Sequence, residues 1–301
     1  MKPNRFRIRF WGVRGSYPVP GSCTLEYGGN TACVEVEAGG HTLILDAGTG
    51  IIGLGKDLAG REAAVVATVL FSHTHHDHIQ GFPFFDPAYN GTTVLYMFGP
   101  RAFNLDIEEA LARAMLAPAF PVALSDLRSL HLITNFVDES EVIVLEEDRE
   151  PEIRNVHRKT RVPSPEAVQI HLLRGYAHPN AGVNIYRIDW RGRTVIYATD
   201  TESYIGGDAR LIAFARDADV LIHDAQYTED EYVAASNPKQ GWGHSTPSMA
   251  IAVARAAAVK KLVLFHHDPS HSDEQLAEIE RKCRREFPES VVAREGLVLE
   301  L

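Results

Sequence analysis

An apolar run followed at once by a dense group of histidine and aspartate residues constrains this chain most. Residues 63–71 are rich in Ala and Val, have the length of a buried strand, and are followed by Ser-His-Thr-His-His-Asp-His. Four potential metal ligands therefore lie close together: His73, His75, Asp77 and His78. We expect a strand that ends near Ser72 and a loop that carries these side chains. In layered α/β folds, ligand sites gather at the carboxyl ends of strands.

The residue types and their spacing favour two metal ions. His73 and His75, with one residue between them, can direct two imidazoles at one ion, whereas Asp77 and His78 can serve a second ion. Imidazole and carboxylate ligands suit zinc, which we take as the default, and also manganese or iron. The alternative is a surface His cluster or a tract like a purification tag with no role, but tags are typically terminal and lack an aspartate, whereas this tract is internal and follows a predicted strand. We therefore predict a dinuclear metal site.

Composition is typical of a globular protein. The 301 residues, 45% of them hydrophobic, can form one large α/β domain or two smaller ones. We predict a single domain over residues 1–301 with a substrate-facing insertion around residues 89–165. No apolar segment of the length of a signal region or membrane span is visible, and the cysteines, Cys23, Cys33 and Cys283, lack paired zinc spacing. These features predict a cytoplasmic protein with no membrane partner.

Charge bears on the expected partner. The formal net charge is −10. Polynucleotide binding depends on Lys and Arg side chains that neutralise phosphates, so this balance argues against a long RNA or DNA partner. A small phosphate ester can still bind, because metal ions and a few dipoles supply a local positive field. We therefore expect a small phosphodiester substrate, with a cyclic nucleotide as one example.

Periodicity predicts alternating strands and helices along most of the chain. Residues 246–258 read as a helix with Pro247 in its first turn, which would offer free N–H donors to a phosphate. Residues 146–165 are charged and contain proline, so we predict an exposed loop there. Residues 291–299 are predicted to form the last strand and to complete a sheet.

Several motifs together resemble the metallo-β-lactamase superfamily. The His-x-His-x-Asp-His pattern at 73–78 is joined by the motifs at Gly12–Ser16, Gly28–Thr31 and Leu45–Gly50. They are similar to the phosphodiesterase branch, which includes ribonuclease Z, class II cyclic-nucleotide phosphodiesterases and phosphoribosyl cyclic phosphodiesterase. The resemblance covers nearly the whole chain. It implies an α/β fold, a four-layer αββα sandwich of two mixed sheets flanked by helices, and by analogy a homodimer.

The resemblance also implies an order of ligands, in which the His-rich motif is followed by one His, one Asp and a final His. The first metal would be held by His73, His75 and His178. The second would be held by Asp77, His78 and His266, and Asp200 would bridge both ions. For His178 the alternatives are His131, His157 and His171, and for His266 the alternative is His267. The aspartate of the Leu45–Gly50 motif, Asp46, would orient the metal loop.

Three residues are candidates for catalytic roles. In the family, two divalent ions activate a water and clamp the oxygens of the diester, and Asp77 would also orient the attacking hydroxide. His244 lies in a Gly-His-Ser-Thr segment similar to that of the branch, and we expect it to bind phosphate and protonate the leaving oxygen. Asp224 stands where the branch has glutamate and would hold the tautomer of His244. His223, rather than Asp224, is an alternative structural partner. The alternative for His244 is a surface histidine near the helix cap, with no catalytic role.

These observations favour a phosphodiesterase that acts on a small or cyclic diester. A ribonuclease Z-like RNA endonuclease is one alternative. The family's enzyme of that name carries a long tRNA-binding arm between the third His and the bridging Asp, whereas here only 21 residues separate His178 from Asp200. A non-catalytic metal- or nucleotide-binding regulatory module on the same fold is another alternative.

Overall fold

Two mixed β-sheets form the centre of the protein. The computed structural model describes residues 5–61, 63–101, 106–136, 138–158, 161–179, 182–204 and 206–301. The strands, in chain order, are β1 (Phe6–Gly12), β2 (Cys33–Ala38), β3 (His41–Leu45), β4 (Val66–Leu70), β5 (Val94–Pro100), β6 (Leu130–Phe136), β7 (Glu141–Leu145), β8 (Glu152–Asn155), β9 (Val168–Gly175), β10 (Val183–Trp190), β11 (Arg193–Ala198), β12 (Val220–Asp224), β13 (Lys261–Phe265), β14 (Ser290–Val292) and β15 (Val298–Glu300).

Each sheet combines a parallel block with an antiparallel block. The first sheet has the order β15-β1-β2-β3-β4-β5-β6, and the second has the order β14-β13-β12-β11-β10-β9-β7-β8. Strands β3 to β6 are parallel in the first sheet, as are β11 to β14 in the second. The carboxyl ends of these parallel strands carry most of the residues of interest, whereas His178 follows the antiparallel strand β9.

Helices cover the outer face of each sheet. They are α1 (Gly50–Ala59), α2 (His76–Ile79), α3 (Ile107–Ala114), α4 (Ala209–Phe214), α5 (Glu229–Tyr232), α6 (Pro247–Ala256) and α7 (Asp273–Glu286). Leu54 of α1 and Leu111 of α3 pack in one apolar cluster with residues of the first sheet. Ile251 of α6 and Leu276 of α7 pack in another with the second sheet. The predicted αββα sandwich is confirmed.

The inner faces of the sheets share one apolar core. Phe6 and Phe10 of β1 belong to the same buried cluster as Trp190 of β10 and Phe265 of β13. The rings of Phe10 and Phe265 are 6.1 Å apart, and those of Phe6 and Trp190 are 6.0 Å apart in an edge-to-face arrangement. These contacts across the interface hold the two sheets in a fixed relation, so residues at one rim of both sheets can meet.

Three local predictions are corrected. Residues 146–165 are not all loop, because β8 pairs with β7 there. Residues 291–299 do not form one strand, since β14 and β15 belong to different sheets. Asp77 and His78 lie on the short helix α2 rather than on a loop. These strands and this helix have only three or four residues each. Elements of that length are too short to show a clear hydrophobic periodicity in the sequence.

The segment predicted as an insertion joins the two sheets. β5 and β6 extend the first sheet, and β7 and β8 lie at an edge of the second. The substrate-facing role of residues 89–165 and the organisation of the chain as a single domain stay predictions. Among the described residues, no helix has the length and apolar character required to cross a bilayer.

Candidate metal centre

The predicted ligands follow the ends of strands from both sheets. β4 of the first sheet leads into the segment that carries His73 and His75. In the second sheet, His178 follows β9, Asp200 follows β11, and His266 comes directly after β13. Because the sheets are packed face to face, these ends meet at one rim.

The first group of donors consists of three imidazoles and one carboxylate. The ligand atoms of His73, His75, His178 and Asp200 all lie within 4.8 Å of one another. The Nε2 atom of His178 is 3.0 Å from Nδ1 of His75 and 3.7 Å from Oδ1 of Asp200. The Nε2 atom of His73 is 3.6 Å from the same oxygen. These atoms surround a space that suits one cation.

The second group lies on the other side of the same carboxylate. It contains Asp77, His78, Asp200 and His266, again within 4.8 Å. Oδ2 of Asp200 is 3.1 Å from Nε2 of His78 and 3.3 Å from Nε2 of His266. Oδ2 of Asp77 is 3.1 Å from the latter nitrogen. The two oxygens of Asp200 therefore face different groups.

The residues present fit two divalent cations. The Nε2 atom of His73 is buried and has no hydrogen-bond partner, although buried polar atoms are normally paired. Burial lowers the pKa of His73 well below its usual range and that of His178 to about 4, which leaves both imidazoles neutral, as metal binding requires. Imidazole–carboxylate sets suit zinc, manganese or iron. The family resemblance implies such ions, and this donor set accommodates them.

Asp46 fixes the orientation of the metal-binding segment. Its carboxylate accepts hydrogen bonds from the backbone N–H of Ser72 at 2.7 Å and from the hydroxyl of Tyr197 at 2.7 Å. The Nδ1 atom of His78 is 2.8 Å from the same carboxylate. This contact places the proton of His78 on Nδ1 and leaves Nε2 directed towards Asp200. Asp46 thus lies where the family resemblance implied an orienting aspartate.

The structure places the alternative histidines for the third and the last ligand outside both donor groups. His267 directs Nε2–H to the carbonyl oxygen of Ala293 at 2.9 Å, away from the donor groups. His131 contacts the carbonyl of Ser129, and His171 lies 3.7 Å from Asp189. Within the part of the chain that the structure describes, none of these histidines, nor His157, belongs to either donor group.

His244 and Asp224 form a pair beside the second group. Nδ1 of His244 is 2.8 Å from Oδ2 of Asp224, and the imidazole of His244 is stacked on that of His266 at 5.1 Å. Burial alone would lower the pKa of His244, but the charge of Asp224, followed by Asp200 and Asp77, raises it to about 9. A protonated imidazole is therefore held next to the donor groups.

The shorter carboxylate at Asp224 still reaches its partner. His223 instead donates from Nδ1 to the backbone carbonyl of Asp224 at 2.7 Å and takes no part in the pair. The predicted phosphate donors at the start of α6 are already used, because Ser248 N–H bonds to Glu229 and Met249 N–H bonds to Thr246. Phosphate recognition by this helix end is therefore not supported.

Sequence reasoning missed two supporting residues. The backbone N–H of Ser16 donates to Oδ2 of Asp77 at 2.7 Å, and Oε1 of Gln226 accepts from Nδ1 of His266 at 3.0 Å. At Gly15, a Cβ atom would lie 2.5 Å from the ring of His266, so only glycine fits there. Ser16 lies in the Gly12–Ser16 motif and Gln226 follows Asp224 by two residues, but neither pattern indicates which distant side chain each residue contacts.

A family model described as a beta-lactamase superfamily domain matches residues 41–267, most of the chain. The chain belongs to the beta-lactamase superfamily. The superfamily that the motifs predicted is thereby confirmed, and the protein is a hydrolase of the metallo-β-lactamase fold.

The similarity to known relatives extends over nearly the full length of this chain. Ribonuclease Z of Gemmatimonas aurantiaca is 26% identical over 98% of this chain and 95% of its own. The metallo-beta-lactamase fold protein YhfI from Bacillus subtilis has a TM-score of 0.67 at 19% identity, covering 99% of this chain and 100% of that chain. The short form of human tRNase Z has a TM-score of 0.63 at 17% identity, covering 97% and 98%. Both structures support the fold.

These relatives correct the expected partner. The prediction against a long nucleic-acid partner is wrong, because a relative that matches almost the whole chain is named ribonuclease Z. The formal charge of −10 sums over the entire surface, whereas RNA binding depends on local cationic and metal-binding groups. The net charge of the chain therefore does not argue against RNA binding.

Removing the shared carboxylate should release both ions. In Asp200→Ala each donor group loses one ligand, so we expect metal affinity to fall by more than about tenfold, since partners of metal ligands alone change it by 10- to 100-fold. Metal content after dialysis, measured by mass spectrometry, tests this. Asp230→Ala, which changes an exposed aspartate, is the matched control. Retention of metal at the wild-type level by Asp200→Ala would refute the assignment.

The His244–Asp224 pair predicts a specific pH dependence. A proton donor is active below its pKa and is lost as pH rises through it. Replacing Asp224 by Asn removes the charge that raises the pKa of His244, so the alkaline limb of kcat should move to lower pH by about 1–3 units. A pH profile of kcat measures this. A uniformly lower kcat with an unshifted alkaline limb would show that Asp224 has only a structural role.

Proposed function

We propose that the protein is a metal-dependent phosphodiesterase that hydrolyses RNA. The arrangement that supports this is the pair of donor groups joined through Asp200, with His244 and its partner Asp224 beside them. RNA is the favoured substrate class because the ribonuclease Z relative is similar over almost the full length of both chains. Two divalent ions, when bound, supply an activated water and a positive field for the diester.

The protein's own side chains divide the remaining work. His73, His75 and His178 would hold one ion, while Asp77, His78 and His266 would hold the other, with Asp200 between them. His244 presents Nε2 to the site because its Nδ1 faces Asp224. It can therefore bind the phosphate and give a proton to the leaving oxygen. Asp224 keeps that proton available near neutral pH.

A small or cyclic phosphodiester is the second candidate. β10 and β11 form a hairpin between His178 and Asp200, with a two-residue turn at Arg191 and Gly192. This connection leaves no length for the extended tRNA-binding arm that the family resemblance associates with ribonuclease Z. A substrate that contacts only the rim of the sheets would need no such arm.

A substrate panel separates these candidates. Zinc- or manganese-loaded protein would be assayed on a tRNA precursor with a 3′ extension, on 2′,3′-cyclic AMP and on bis-p-nitrophenyl phosphate. We expect hydrolysis of the artificial diester and cleavage of the RNA with the higher kcat/KM, and loss of both activities in His244→Gln. Higher kcat/KM on the cyclic nucleotide would favour the second candidate. Metal-loaded protein inert on all three would refute the proposal and favour a non-catalytic binding module.

A further inference from the structure

An exposed indole lies close to the proposed proton donor. Trp242 is 50% exposed, although large aromatic side chains are usually buried, and it is two residues before His244. The other tryptophans differ, since Trp190 is buried between the sheets and Trp11 donates to Glu35 and packs against the first sheet. Neither the metal site nor the core accounts for the position of Trp242.

The turn that carries Trp242 is fixed on both sides by one buried carboxylate. Glu202 accepts hydrogen bonds from the N–H of Gly241 at 2.8 Å and from the N–H of Gly243 at 2.9 Å, the two neighbours of Trp242. Gly243 has φ +88°, and a Cβ atom there would lie 2.4 Å from Nδ1 of His178. The backbone of the turn that carries the indole is therefore held against His178 of the first donor group.

A lysine accompanies the indole. The ammonium of Lys239 lies 4.0 Å from the centroid of the Trp242 ring and 5.5 Å from that of Tyr227. The Tyr227 ring meets the imidazole of His244 edge to face at 5.8 Å. Across residues 5–301, apart from the short segments not described, no carboxylate pairs with Lys239. Its charge is thus available to an anion near the catalytic histidine.

We propose that Trp242 stacks on a nucleobase next to the scissile phosphodiester and that Lys239 binds an adjacent phosphate. This inference rests on the proposed function, because it names the substrate feature that the same site recognises. Aromatic side chains bind single-stranded nucleic acid by stacking on bases, with nearby cations on the backbone. The substrate is therefore unpaired where it is cleaved.

Binding of two ligands that differ only by a base tests the proposal. Calorimetric titration of the metal-loaded protein would compare adenosine 5′-monophosphate with ribose 5-phosphate, neither of which is a diester that the site could hydrolyse. We expect the nucleotide to bind about tenfold more tightly, as expected for one stacked base. Trp242→Ala should remove this preference, and Trp242→Phe should retain part of it. Lys239→Met should weaken both ligands equally.

Controls keep the outcomes distinct. Lys282→Met, which changes an exposed lysine on α7, should bind both ligands like the wild type. Circular dichroism and metal content of each variant show whether it is folded and loaded. Equal binding of both ligands by the wild type, or an unchanged preference in Trp242→Ala, would overturn the stacking role. Those results leave diester hydrolysis intact, whereas a preference for the nucleotide without diester hydrolysis would overturn the proposed function and leave only base binding by Trp242.

Discussion

One carboxylate, that of Asp200, lies between two groups of imidazoles, and the rest of the site depends on its position. Its two oxygens face different groups at distances of 3.1 to 3.7 Å. Asp200 follows a strand of the second sheet, whereas His73 and His78 follow a strand of the first. The site therefore exists only while the two sheets remain packed face to face, and the apolar core between them is a condition for function.

Backbone strain and hydrogen bonds hold these groups in place. Asp46, Asp200 and His266 all have positive φ, between 51° and 63°, which costs free energy for residues other than glycine. The surrounding contacts compensate, since the backbone N–H of Asp200 bonds to Asp224 and the side chain of Asp46 is tied to Tyr197. A centre built in this way needs little reorganisation when it binds ions.

Parts of the fold and of the metal site could be predicted from the sequence. The His-x-His-x-Asp-His motif follows a strand with a clear apolar run, so its place at a sheet end was predictable. His178 and His266 were separable from other histidines only by their position after strands and by the family order. The contacts of Ser16, Gln226 and Glu202 were not predictable, because they join residues far apart in the chain. Positive φ at non-glycine residues also leaves no signal in composition or periodicity.

The central claim is that two cations flank Asp200. Anomalous diffraction from crystals of zinc-loaded protein, recorded on both sides of the zinc absorption edge, would test it most directly. The account predicts two peaks, one among His73, His75 and His178 and the other among Asp77, His78 and His266. A single peak remote from Asp200, or no peak in protein shown to contain zinc, would contradict it.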